Sequence, residues 1–243
     1  MSDLSTPAAA PATPRREFLG QLATVAAALA ATACVSGGIG VGAASPTQET
    51  PPLPPMPALP PLTFNDEWAS QITSRYRAVF DSPDIDDGTG LFNALTYVKD
   101  FKDVMKAKDA DVTAVLVVRH RAVPMAMDDS IWERYKLGEY AKVKDEATNK
   151  WATRNPFLTA APGDVEDAEY TLTALHQHGG MILACALATH GMASILAKRT
   201  NQKSSVVFDE FRRHLVVGAQ LAPSGIFAVM RAQEAGCHYM RST

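Results

Sequence analysis

The chain has 243 residues, with 23 basic against 26 acidic side chains, a net charge of −3 and 47% hydrophobic residues. That near-balance excludes the basic stripe of a nucleic-acid binder, and the hydrophobic content is that of a chain able to bury a core. Of three cysteines, Cys34, Cys185 and Cys237, the last two would invite a disulfide in an oxidising compartment.

The amino terminus reads Pro14-Arg15-Arg16-Glu17-Phe18-Leu19-Gly20, followed by a charge-free run from Gln21 to Ser45. A paired arginine ahead of a soft apolar stretch built from Ala, Thr, Val and Gly is the pattern of a twin-arginine export signal. Residues 1–45 are therefore expected to be that signal, with the twin-arginine translocon as a partner during export and the periplasm as destination. Small residues offer cleavage after Ala33 or after Ala44. Two alternatives stand beside this one: the apolar run stays uncleaved as an anchor, or Cys34 is acylated. Residues 46–63 contain PPLPPMPALPPL, an extended spacer, because proline fixes φ and lacks the backbone donor.

The fold is expected over residues 64–243. Arg15 and Arg16, with Asp3, Glu17 and Glu49, precede it, leaving 21 basic and 23 acidic residues in the domain. Tyr76 to Phe80 alternates and meets Asp81-Ser82-Pro83, a strand running into a turn. Gly88 to Lys106 carries Leu91, Leu95, Val98, Phe101, Val104 and Met105 at helical spacing. Asp111 to Val118 is a continuous apolar, β-branched run, as in a parallel strand buried on both faces. Asp128-Asp129-Ser130 caps a helix through Tyr135. Residues 138–163 are polar and irregular, an excursion of the kind that forms lids or interfaces.

Val165 to Gln177 reads as a helix ended by Gly179-Gly180. Met181 to Cys185 reads as a buried strand, followed by an Ala-rich helix through Lys198 and a short helix over Val206 to Arg213. Leu215 to Leu221 is expected as a strand, Pro223-Ser224-Gly225 opens a helix to Ala235, and Cys237 to Met240 forms a last strand. Alternating strands and helices predict a three-layer α/β/α sandwich around a mostly parallel sheet. In such sheets ligands gather beyond the carboxyl ends of the strands. That rule selects Asp81, Arg119-His120-Arg121, Cys185 and Pro223-Ser224-Gly225.

The stretch from Val217 to Ile226, with Ala219-Gln220-Leu221-Ala222-Pro223-Ser224-Gly225, and the stretch Ala232-Gln233-Glu234-Ala235-Gly236-Cys237-His238-Tyr239-Met240 resemble the carboxy-terminal pattern of DsrE/DsrF-like proteins. Ile182-Leu183-Ala184-Cys185-Ala186 is similar to that family's strand-then-cysteine segment, and the strand ending at His120 is similar to its exported members. The resemblance spans roughly residues 75–240 apart from the excursion. It implies a five-stranded parallel sheet, homo-oligomers, and sulfur carried as a cysteine persulfide at Cys185 between donor and acceptor proteins. No bound cofactor is implied. The Pro-Ser-Gly segment points to the fold more than to a chemistry.

Cys185 ends a strand and starts a helix, where the positive helix terminus favours the nucleophilic thiolate; a buried cysteine that only fills the core is the competing reading. His120 is the candidate for proton transfer. Arg119, Arg121 and Ser224 are candidate binding residues on the same edge, although Arg119 and Arg121 also fit a solvated turn and Ser224 a helix cap. His176 and His178 do not share a helix face, so a metal site is not expected there. Ser224 lacks the Gly-x-Ser-x-Gly frame of a nucleophile elbow, and Gly88-Thr89-Gly90 lacks the phosphate-loop ending. A strand-end Cys185 and a strand-start Cys237 lie at opposite sheet edges, too far apart to bridge. A non-catalytic oligomeric assembly module in the cell envelope is the alternative to sulfur relay.

Overall fold

A computed structural model describes residues 61–160 and 169–242; the expected export signal and the residues up to 60 of the proline spacer fall outside the described residues. Five strands, β1 (Tyr76–Ser82), β2 (Val112–Val118), β3 (Met181–Cys185), β4 (Ala219–Ala222) and β5 (His238–Arg241), form one sheet in the order β4-β3-β2-β1-β5. Every neighbouring pair is parallel. The architecture is a three-layer α/β/α sandwich around a five-stranded sheet, as the alternating elements predicted.

The layers follow from side-chain alternation along the central strands. On β1 and β2, Ala78, Phe80, Ala114, Leu116 and Val118 face one apolar cluster, and Val79, Val115 and Val117 face the other. Both faces of β2 are buried, which is why its sequence shows no polar alternation. The first cluster is closed by α2 (Thr89–Met105), through Leu91, Ala94, Leu95 and Val98, and by α6 (Ala186–Arg199), through Met192, Ala193, Leu196 and Ala197. The second is closed by α1 (Glu67–Ser70) and α8 (Gly225–Glu234), through Trp68, Ala228, Val229 and Ala232.

Between β2 and β3 lie a 3₁₀ segment over His120–Ala126, α3 (Asp129–Tyr135), α4 (Leu137–Ala141) and α5 (Leu172–Gln177), and α7 (Ser204–Arg213) follows α6. Glu210 of α7 is buried, hydrogen-bonded to the Tyr135 hydroxyl and ion-paired with Arg134 at 3.2 Å, and so pins α7 to α3. Asp128 caps α3 by accepting from the Ile131 amide at 3.2 Å. Burial opposes the Asp128 charge, but the Ser130 hydroxyl, His214 and the Ile131 amide outweigh it and hold the carboxyl below its ordinary pKa. A depressed carboxyl pKa stabilises above the unfolded value and stops doing so as pH falls through the folded one. Asp128→Ala is therefore expected to cost about 1 kcal/mol near neutral pH. Urea midpoints taken down a pH series should converge with wild type below the usual carboxylate range.

Three sequence expectations are corrected. The helix expected from Val165 begins at Leu172, where the Thr171 hydroxyl accepts from the Ala174 amide at 3.1 Å; residues 161–168 lie outside the described ones. The strand expected over Leu215 to Leu221 contracts to β4, because Leu215 forms an antiparallel bridge with Met127 and the Val216 amide donates to Ala126. The excursion is not an irregular flap. It contains α4, a bridge between Lys144 and Trp151, and a turn in which Asp145 accepts from the Thr148 amide at 2.9 Å. Asn155 then plugs it into the core. Its side-chain amide donates to the carbonyls of Met125 and Met127, both at 2.8 Å, and its Oδ1 accepts from the Phe157 amide at 3.0 Å.

Candidate functional site at the carboxyl edge of the sheet

β3 and β4 are hydrogen-bonded neighbours, with Cys185 paired to Ala222. The chain leaves β3 into α6 and β4 into α8, and these helices pack against opposite faces of the sheet. Connections that depart in opposite directions from adjacent parallel strands open a crevice at the strand ends, the topological switch point where α/β sheets bind ligands. Cys185 and Ser224 stand at its two sides, each at the N-cap position of a helix. The Cys185 Sγ accepts from the Ala188 amide at 3.3 Å and the Ser224 Oγ from the Phe227 amide at 3.1 Å. A serine in this place is a helix cap by its ordinary chemistry; a cysteine there puts sulfur against the positive end of a 14-residue helix. Cys185 is 6% exposed.

The register of β2 on β3 pairs Val118 with Ala184, so Arg119 stands beside Cys185 one step further on. Arg119 is not a free cation. Its Nε and Nη2 donate to Asp81 Oδ1 and Oδ2 at 2.6 and 2.9 Å, a bidentate pair with a buried carboxylate. The Tyr239 hydroxyl donates to the same Asp81 Oδ2 at 3.0 Å. Asp81 raises the Arg119 pKa against the opposing effect of burial, and Tyr239 and Cys185 add to the rise. The start of α8 rests on this arginine: a Cβ on Gly225 would come within 2.5 Å of the Arg119 side chain, so glycine permits the approach.

Arg121 is exposed and paired with Asp84 at 2.5 Å. His120 is also exposed and has a left-handed backbone, φ 51°. In the neighbouring loop after β1, Asp86 and Asp87 adopt φ 41° and 50°. The loops after β1 and β2 are tied together by the Arg121 amide donating to Pro83 at 2.9 Å. Non-glycine residues in this conformation carry strain that binding edges commonly hold.

The strand-end rule thus brings Arg119, Cys185 and Ser224 to one edge, while Arg121 and His120 occupy its exposed rim. It also selected Asp81, but not the partnership with Arg119, 38 residues away, nor with Tyr239, 158 residues away. Those partnerships depend on strand register, and no local pattern announces them.

Cys237 sits elsewhere, before β5 at the amino edge and in the opposite apolar cluster, and both thiols are free. Burial pushes the Cys237 thiol up to about 11, with Arg77 pulling the other way, so it is a weak nucleophile at neutral pH. A cleft of 340 Å³ opens at that amino edge, lined among others by Ser74, Asp109, Thr113 and His178. Several of its polar groups are already partnered: Asp109 with Lys102 and His178 at 2.6 and 3.1 Å, and Ser74 with Thr113 at 2.8 Å. Ser130, His214 and Asp128 cluster too, but both oxygens meet the same Nδ1, at 3.0 and 2.9 Å, so no relay runs through the ring. Among the described residues no three His, Cys, Asp or Glu side chains are placed to hold a metal, and no helix is long and apolar enough to cross a membrane.

No family model and no curated protein matches the chain. Among solved structures, the chain is similar to a protein of unknown function from Methanobacterium thermoautotrophicum, at 17% identity, covering 68% of this chain and 98% of that one, with a TM-score of 0.36.

Proposed function

We propose that the chain is an exported DsrE-like protein that accepts and passes on sulfane sulfur at Cys185. The observation that carries the reading is the position of this thiol, at the switch-point crevice and at the N-cap of α6. A helix amino terminus favours negative charge, which is the form of sulfur that attacks and the form that leaves. The Cys185 thiolate attacks the terminal sulfur of a donor R–S–S⁻. A new S–S bond forms at Cys185, the donor S–S bond breaks, and R–S⁻ departs with the electron pair. No oxidant is consumed, and the return transfer to an acceptor thiolate is the same step reversed.

Incubation with a sulfane donor, followed by intact-mass measurement, should add one sulfur to the wild type and to Cys237→Ser, and none to Cys185→Ser. Undiminished loading of Cys185→Ser removes Cys185 from the role. A second reading, an oligomeric assembly module in the cell envelope, is favoured by Leu187 and Ile226. These apolar residues in the first turns of α6 and α8 are each 71% exposed beside the crevice. A protein that never loads sulfur, yet sediments as a multimer that Leu187→Asp dissociates, would be that module.

A further inference from the structure

Resting on the Cys185 reading above, we propose that the sulfur donor is a small hydropolysulfide anion and that Arg119 recognises it, positioned by Asp81 and Tyr239. Two observations independent of the thiol's helix-cap position lead there. The first is the way Arg119 is held. Asp81 takes the Nε and Nη2 edge of the guanidinium in two parallel hydrogen bonds, and Tyr239 fixes the carboxylate from the other strand neighbour. Nη1 has no hydrogen bond among the described residues, and the side chain is 31% exposed. A planar cation clamped along one edge presents its remaining donors in a fixed direction, so little side-chain freedom is lost when an anion arrives.

The second is the depth of the sulfur. At 6% exposure Cys185 is nearly buried, a depth that suits a donor of a few atoms better than a bulky one. Chemistry then demands a cation. Attack brings a thiolate against an anionic donor, and like charges in a partly buried crevice repel strongly unless a positive group spans them. Arg119 stands one register step beyond the last paired residues of β2 and β3, beside Cys185. For the simplest donor, Cys185–S⁻ attacks HS–S⁻, the S–S bond of the donor breaks, and Cys185–S–S⁻ and HS⁻ result; charge and atoms balance with no further reactant.

The test uses the whole chain and two alkylating probes of the same size, anionic iodoacetate and neutral iodoacetamide, with the Cys185 peptide followed by mass spectrometry. Sodium tetrasulfide loading is measured in parallel. Arg119→Met should lower the iodoacetate-to-iodoacetamide rate ratio about fivefold or more and slow tetrasulfide loading by a similar factor, and rising salt should narrow both effects. Arg119→Lys, which keeps the charge and loses the fork, should fall between. Asp81→Asn separates positioning from bulk charge: deleting a negative group raises the anion ratio if only net charge matters, and lowers it if Asp81 aims the arginine. Tyr239→Phe should lower the ratio mildly without changing the fold.

An anion ratio indifferent to Arg119 while Cys185 still loads sulfur overturns this inference and leaves the sulfur reading intact. A ratio that responds to Arg119 while tetrasulfide never loads Cys185 overturns the sulfur reading and, with it, the identity of the anion. Failure of both probes to reach Cys185 in the folded protein closes the crevice to anions of this size and overturns the inference.

Discussion

Asn155→Ala is expected to lower the melting temperature by roughly 5–15 °C, more than any exposed substitution in the domain. Asn155 is fully buried, and its amide is the hydrogen-bond donor recorded for two main-chain carbonyls, those of Met125 and Met127. Alanine leaves both acceptors in the core without that partner, at about 1–3 kcal/mol each, and in a domain of this size each kcal/mol shifts the melting temperature by about 2–4 °C. It also releases the Phe157 amide, which turns the chain toward α5. Asn155→Asp should be worse, since it sets a carboxylate against two carbonyl oxygens. A thermal scan checks both, and a loss below about 2 °C for alanine means that water replaces the amide without cost.

The second large effect is Gly138→Ala, best read beside Gly191→Ala. Both glycines lie in helices, α4 and α6, where alanine is intrinsically better by about 1 kcal/mol. At Gly191 a Cβ meets nothing within 4 Å, so that gain should appear as higher stability. At Gly138 a Cβ falls 2.2 Å from the Ala152 carbonyl oxygen and 2.6 Å from its nitrogen, both backbone atoms. The backbone at Ala152 would have to move, and it is held by its own amide donating to the Val143 carbonyl at 3.0 Å. Overpacking of this kind costs about 1–3 kcal/mol. Denaturant midpoints should therefore move in opposite directions for the two variants, and a shift in the same direction would show that the excursion yields freely.

Both predictions bear on the segment hardest to read in the sequence. Residues 138–163 are polar, and Asn155-Pro156-Phe157 has the composition of a surface turn. Whether an asparagine is solvated or spends its amide on buried carbonyls depends on what folds over it. In contrast, β2 was legible because burial on both faces leaves an unbroken apolar run, and the starts of α3 and α8 because Asp128 and Ser224 spend their oxygens locally. The run Leu215-Val216-Val217 is ambiguous for a related reason: apolar and β-branched residues suit any extended backbone, and here Leu215 and Val216 join the segment after β2 rather than the sheet. At the candidate site, strand ends could be counted from sequence, so Cys185, Arg119 and Ser224 were found together. The Asp81 and Tyr239 partnerships required the strand order, in which β5 returns to lie beside β1.

That return has a kinetic consequence. Among the described strands β1 is the first to leave the ribosome, and one of its two edges is covered only by β5, the most C-terminal strand described. Until residues 238–241 emerge, the Ala78–Asp81 edge remains an open template, a liability for a nascent chain. The Asp81 carboxylate also waits for Tyr239 until then. Sheet closure is consequently a late, long-range event carrying a high loop entropy. Completion of the fold and completion of the site coincide: the contact that seals the edge of β1 is also the one that finishes the arginine clamp.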